Sequence, residues 1–138
     1  MQNNKVKIDG KVSIITPTYN SEEFVMHTIN SVLNQTYTNW EMLIVDDCST
    51  DKTVEIIRQL GDSRIKVIVQ DSNKGAAMAR NRAIEEADGE YFAFLDSDDS
   101  WREDKLEMQI HFMQENNYDF TSTHYEHVNE EGIPTGTI

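Results

Sequence analysis

Apolar and polar positions along this 138-residue chain switch repeatedly between a period of two and a period near 3.6. Val12-Ser13-Ile14-Ile15 is a short β-branched run, and Thr16-Pro17 predicts its end, because proline cannot donate to a central ladder. Phe24, Thr28, Ile29, Val32 and Leu33 then recur at helical spacing, behind Asn20 and Glu23 in the arrangement of a capping box. Residues 42–45 form a second apolar run, ended by Asp46-Asp47. Ser49, Thr50 or Asp51 is placed to cap a helix with Val54, Ile57 and Leu60 inward and Gly61 as its stop. A third strand is predicted over residues 65–69 and a turn at Asn73-Lys74-Gly75. An alanine-rich helix follows over 76–87, with Ala76, Ala79, Ala83 and Ala87 on one face, and Asp88-Gly89 ends it. The fourth strand is Tyr91-Phe92-Ala93-Phe94-Leu95. Ser100 and Glu103 suggest a second capping box, opening a helix with Leu106, Ile110 and Met113 inward. A fifth strand over 118–127 is weakened by Asp119, Glu126 and the threonines, and residues 129–138 read as an open end.

Strand–helix alternation with apolar strands predicts an α/β, Rossmann-like fold: a mostly parallel sheet flanked by helices. Ligands of such sheets bind beyond the carboxyl ends of the strands. Three of the four strands end in polar sequence, at Thr16-Pro17-Thr18-Tyr19-Asn20, at Asp46-Asp47 and at Asp96-Ser97-Asp98-Asp99, and the third leads into Asn73-Lys74-Gly75. All four loops are expected on one rim.

The charge is uneven. Residues 1–84 hold ten acids and ten bases, whereas residues 85–138 hold fifteen acids against Arg102 and Lys105, giving the net −13. That polarity argues against non-specific nucleic-acid binding, which needs a basic patch. The lone Cys48 cannot form an internal disulfide and fits a reducing compartment. No apolar stretch approaches the ~20 residues of a membrane span, and the first eleven residues are too polar for a signal peptide. The expectation is a cytoplasmic protein.

The candidate chemistry centres on Asp96-Ser97-Asp98-Asp99. Three carboxylates in one short loop repel unless a cation or donors compensate them. Oxygen ligands of this kind suit Mg²⁺ or Mn²⁺, with substrate phosphates completing the shell. The plainer reading is a solvated acidic turn or helix cap. Asp96 and Asp98, two apart in an extended segment, project to one side, while Asp99 either holds the loop or begins the next helix. Tyr19 either stacks on a nucleotide base or covers the top of the core. Asp47 suits the imide N–H of uracil or thymine, and Asp46, pointing the other way, is expected to be structural, as a cap or as a hold on the first loop. Arg80 and Arg82 carry the planar fork that matches a diphosphate, or else one of them orients Asp96 or Asp47. Lys74 and Gly75 fit a phosphate-side loop, without the glycine spacing of a P-loop or dinucleotide fingerprint. Trp101 reads as packing and His111 as surface, and His124 and His127 are given no metal role.

In register, these pieces resemble the family 2 glycosyltransferases. The resemblance rests on Val12-Ser13-Ile14-Ile15-Thr16-Pro17-Thr18-Tyr19-Asn20, Ser31-Val32-Leu33-Asn34-Gln35-Thr36-Tyr37, and Val45-Asp46-Asp47-Cys48-Ser49-Thr50-Asp51. It continues through Asn73-Lys74-Gly75 with Ala79-Arg80-Asn81, and from Ala87-Asp88-Gly89-Glu90-Tyr91 to Asp99, so that it covers about residues 12–106. It implies the GT-A fold and inverting transfer of a sugar from a nucleotide-sugar donor, with UDP the expected carrier. A glycan or lipid-linked molecule of the cell envelope would accept the sugar. By resemblance Thr18, Tyr19 and Asp47 meet the base, Arg80 lies near base or diphosphate and Asp96 nearer the ribose, with Pro17, Lys74, Gly75 and Ser97 also expected to bind the nucleotide. Asp98, with Asp96, would hold Mn²⁺ or Mg²⁺ as the DxD motif.

The implied division is a polar tail over 1–11, a nucleotide-sugar-binding domain over 12–118, and the start of an acceptor-side region over 119–138. The catalytic base is expected beyond Ile138, so the chain is read as truncated before the acceptor subdomain and weak or inactive alone. Membrane association, at the inner face, would come only through segments this chain lacks. Cys48 stands where the family commonly has glycine, so the turn there must avoid positive φ or bear strain. A phosphate-accepting receiver-type signalling domain shares the size and acidic pair, but here the pair follows the second strand and no lysine ends a fifth. A nucleotidyltransferase would need a glycine-rich first loop. A non-catalytic nucleotide-binding module is the remaining alternative.

Overall fold

A computed structural model describes residues 6–123, 126–128, 131 and 134–137. In chain order its elements are β1 (Ile8–Thr18), α1 (Val25–Leu33), β2 (Trp40–Asp46), α2 (Thr53–Arg58) and β3 (Ile65–Val69). There follow α3 (Ala76–Glu86), β4 (Gly89–Phe94), α4 (Lys105–Asn116), β5 (Glu126–Val128) and β6 (Pro134–Thr137). Two compact units result, residues 1–106 and 107–138, the break falling within α4.

The first unit carries a four-stranded parallel sheet in the order β3-β2-β1-β4. Every residue of β2 is buried, which its unbroken apolar run through Met42-Leu43-Ile44-Val45 requires of a central strand covered on both faces. On one face Ile15, Leu43 and Val45 pack with Ala79, Ala83 and Ala87. Alanine adds so little bulk that α3 can lie close on the sheet. Ala76, the fourth member of the predicted stripe, is instead exposed at the start of α3.

Proline 17 behaves differently from expectation. β1 runs through it to Thr18, in register with β2 from Val12↔Trp40 to Thr18↔Asp46. Towards β4 the pairing ends at Ile15↔Phe94, followed by one bond from the Leu95 N–H to the Ile15 carbonyl. In a parallel strand alternate residues bond to alternate neighbours. Pro17 therefore faces β4, as Ile15 does, and lacks the N–H for the next rung. The proline ends one ladder and leaves the other intact, and β4 parts from β1 just before Asp96.

β1 also begins earlier than the apolar run, since Ile8 pairs with Gly89 across an irregularity in register. The predicted capping box before α1 is absent. The helix starts at Val25 with Phe24 at the N-cap and no side-chain cap, because Asn20 turns its amide oxygen across to the Thr50 N–H at 2.8 Å. Asp51 does accept the Thr53 N–H (3.0 Å), one residue ahead of the N-cap position of α2. α4 opens at Lys105, so Ser100 and Glu103 precede its first turn, and the Glu103 carbonyl accepts the Thr36 N–H.

In the second unit the Tyr118 N–H closes α4 on the Met113 carbonyl, and the rings of Phe112 and Tyr118 lie 5.7 Å apart. Of the predicted fifth strand, residues 118–123 are not in a strand, Glu126 and His127 belong to β5, and His124 and Tyr125 lie outside the described residues. β6 pairs antiparallel with β5 where an open end was expected. Among the described residues no helix is long and apolar enough to cross a membrane.

Candidate functional site

The ends of β1, β2 and β4 meet the first turns of α3 around a cavity of about 390 Å³. Pro17, Thr18 and Tyr19 enter it from β1 and the loop that follows, Asp47 from just after β2, and Arg80 from α3. Asp96, Ser97 and Asp98 enter it from the loop after β4. Eight residues singled out in the sequence thus share one space. Lys74 and Gly75 are not in its wall. Their N–H groups donate to the Asp47 carboxylate at 2.7 and 2.8 Å, and the Lys74 ammonium pairs with Asp71.

The two acids after β2 have separate surroundings. Asp46 is fully buried and accepts the Thr18 hydroxyl (3.0 Å), the Ser49 hydroxyl (2.6 Å) and the Ser49 N–H (2.8 Å). Asp47 is only 4% exposed, yet each of its oxygens keeps a second lone pair beyond the loop N–H it accepts. Cys48 between Asp47 and Ser49 has φ +68°, so the turn bears the strain that glycine would avoid.

Tyr19 is half-exposed at the mouth, and the turn behind it is sewn to the β2–α2 loop. The Asn20 N–H donates to the Ser49 hydroxyl, the Ser21 N–H to the Thr53 hydroxyl and the Lys52 N–H to Glu22. Asn20 takes φ +47°, a conformation its short amide tolerates. Asn20, Ser21, Phe24 and Ala76 complete the wall. The sequence spacing assigns Asn20 to a cap, Phe24 to a helical repeat and Ala76 to the alanine face. Their position just past a strand end or at a helix start was the available signal.

In the acidic loop, Asp96 accepts the Arg80 guanidinium at 3.0 Å, and the Ser97 hydroxyl bonds the Ser21 hydroxyl at 2.7 Å. Arg82 turns away to Glu86 (3.0 Å). Desolvation, ahead of repulsion from Asp98 and Asp96, pushes the Asp99 carboxyl above its ordinary value. A cation relieves that kind of repulsion. Among the described residues no three His, Cys, Asp or Glu side chains form a self-sufficient metal cage. Exposed carboxylates lining an open cavity instead fit Mn²⁺ or Mg²⁺, which take one or two carboxylates and share the rest of their shell with substrate phosphates. Downstream, the buried Gln35 donates to the Arg102 carbonyl (2.6 Å) and accepts the Leu106 N–H (3.1 Å), fixing the exit of the loop.

The family described as Glycosyl transferase family 2 matches residues 13–136. This chain belongs to glycosyl transferase family 2. Among family 2 relatives, TuaG of Bacillus subtilis (strain 168), named for teichuronic acid biosynthesis, is 50% identical over 125 residues, covering 89% of this chain and 50% of TuaG. The UDP-Glc:alpha-D-GlcNAc-diphosphoundecaprenol beta-1,3-glucosyltransferase WfgD of Escherichia coli is 50% identical over 125 residues, covering 91% of this chain and 49% of WfgD. The crystal structure of S. aureus TarS 1–349 with UDP superimposes with a TM-score of 0.82 at 35% identity, over 91% of this chain and 38% of that one. The mannosyltransferase PcManGT of Pyrobaculum calidifontis, with GDP-Man and Mn²⁺, gives 0.70 at 28% identity, over 74% of this chain and 32% of that one. The fold is the nucleotide-binding half of the GT-A architecture. The chain spans about half the length of these two curated family 2 relatives.

Proposed function

We propose that this chain is the donor-binding half of an inverting glycosyltransferase. It would take a sugar from UDP and pass it to a hydroxyl of a glycan or lipid-linked acceptor in cell-envelope synthesis, at the cytoplasmic face of the membrane. The observation that carries this reading is the single cavity that gathers Tyr19, Asp47, Arg80 and Asp98 from separate stretches of chain. The UDP and UDP-GlcNAc bound by TarS and the substrate in the name of WfgD support it.

The cavity residues divide the donor between them. Tyr19 stacks on the base while the main chain at Pro17 and Thr18 meets its edge. Asp47, held rigidly by Lys74 and Gly75, accepts the uracil imide N–H. Arg80 lies beside the diphosphate, and Asp96 and Ser97 meet the ribose. Asp98, with Asp96 at its side, would hold Mn²⁺ or Mg²⁺, which when bound supplies Lewis-acid stabilisation of the charge on the departing diphosphate. The residues themselves bind and orient. With the nucleotide fixed at base, ribose and phosphates, the anomeric carbon faces an acceptor hydroxyl on the side opposite the leaving group, and inversion follows.

Calorimetric titration of UDP with and without Mn²⁺ tests the metal site. Asp98→Asn should abolish the metal-dependent gain in affinity, and an unchanged gain removes Asp98 from the site. Equal affinity for UDP and CDP removes Asp47 from base selection.

A further inference from the structure

Thr28 lies on α1, outside the cavity wall, and is fully buried. Its hydroxyl is 2.9 Å from the Ser97 carbonyl and 2.6 Å from the Asp99 carbonyl. Those two carbonyls bracket Asp98. A hydroxyl has one proton, so Thr28 shares a single donor between two main-chain acceptors. This grips the backbone on both sides of the acid and leaves its exposed side chain untouched. The loop needs such a grip. It has left the sheet at Pro17, and its three carboxylates repel one another.

We infer that Thr28 is a positioning residue for the cation site, setting the backbone around Asp98 so that its carboxylate meets a divalent metal and a nucleoside diphosphate together. The inference rests on the reading of Asp98 as a metal ligand and adds the group that aims it. Loss of a group that orients a metal ligand typically costs about 10- to 100-fold in metal affinity. Thr28 sits on a rigid helix whose neighbours Val25, Ile29 and Val32 are buried, so the grip is fixed before any ligand arrives. Valine at this position would set a methyl group against two carbonyl oxygens and push the loop away. Alanine would release it, and serine would keep the donor.

The test is calorimetric titration of UDP with and without Mn²⁺ on wild type, Thr28→Ala, Thr28→Val and Thr28→Ser, each checked for a cooperative melt. The expected result is an Mn²⁺-dependent gain in UDP affinity that falls about 10-fold or more in the alanine and valine variants. Metal-free affinity should fall by less than metal-bound affinity in both, and the serine variant should recover the gain. If valine does not fold, alanine and serine carry the comparison. A gain unaltered in the alanine variant overturns the inference. So does an equal loss with and without metal, which marks a merely structural role. If wild type shows no gain from Mn²⁺, the metal reading of Asp98 fails first and the inference falls with it. A gain present in wild type and serine but absent from alanine supports both.

Discussion

The carboxylate of Asp47 accepts the N–H of Gly75 at 2.8 Å, and its other oxygen accepts the neighbouring N–H of Lys74 at 2.7 Å. One side chain at the end of β2 therefore fixes the loop that leads into α3, where φ at Gly75 is +92°. Hydrogen bonds to a charged group contribute about 1.5–3 kcal/mol each. Asp47→Ala removes both and should destabilise the fold by about 3 kcal/mol or more even without ligand. Asp47→Asn, which keeps one acceptor oxygen but turns an NH₂ group towards the second N–H, should fall between. Urea denaturation of the three proteins checks the order.

A second carboxylate works at the opposite end of the sheet. Glu41 in β2 is 1% exposed and accepts the Ser13 hydroxyl at 2.7 Å, the Asp88 N–H at 2.9 Å and the Lys66 ammonium at 3.2 Å, with Lys11 at 3.4 Å. Burial pushes its carboxyl up, but these donors outweigh burial and hold it at about 2 against an ordinary 4.5. The folded state thus favours the ionised form. The resulting stability is complete above the unfolded value and is lost as the pH falls from about 5 towards 2, an amount of about 3 kcal/mol. Glu41→Gln should lower stability at neutral pH by about 3 kcal/mol and flatten that acid limb, read from denaturation curves at successive pH values.

Gly89 opens β4 against the backbone of β1. A Cβ there would lie 2.6 Å from the Ser13 hydroxyl oxygen, 2.7 Å from the Lys11 carbonyl and 2.8 Å from the Ser13 nitrogen. Two of these are main-chain atoms, so the strands must separate to admit a methyl group. Gly89→Ala should cost about 3 kcal/mol and loosen the β1–β4 pairing at Ile8, seen as faster amide exchange there.

At Cys48 the opposite substitution helps. Its φ of +68° costs an L-residue about 1–2 kcal/mol, while glycine returns part of that through unfolded-state entropy. Cys48→Gly should stabilise the fold by about 1 kcal/mol, raising Tm by a few degrees in a thermal melt.

Most of the sheet could be read from periodicity because β2, β3 and β4 are apolar enough to announce themselves. The rim could be read because β1, β2 and β4 each end in polar sequence. What escaped depended on partners distant in the chain. The start of β1 at Ile8 is polar and is held by pairing to Gly89, by the Glu90 carboxylate on the Gly10 N–H and by the Tyr37 hydroxyl on the Gly10 carbonyl. Asn20 and Glu23 have the spacing of a cap, yet Asn20 found a better partner in Thr50. Thr28 looks like one more inward helix position, and only the folded chain shows that its hydroxyl ends on the acidic loop. β6 is four residues of Pro-Thr-Gly-Thr, with no apolar alternation to reveal it.

Pro17 carries a consequence for how the cavity is inherited. The mouth of the site exists because two neighbouring strands stop zipping at a residue that has no hydrogen to offer. Any other amino acid there would offer a main-chain N–H to the rung that is missing beside the cavity. The entrance is thus encoded partly by a bond the chain never makes.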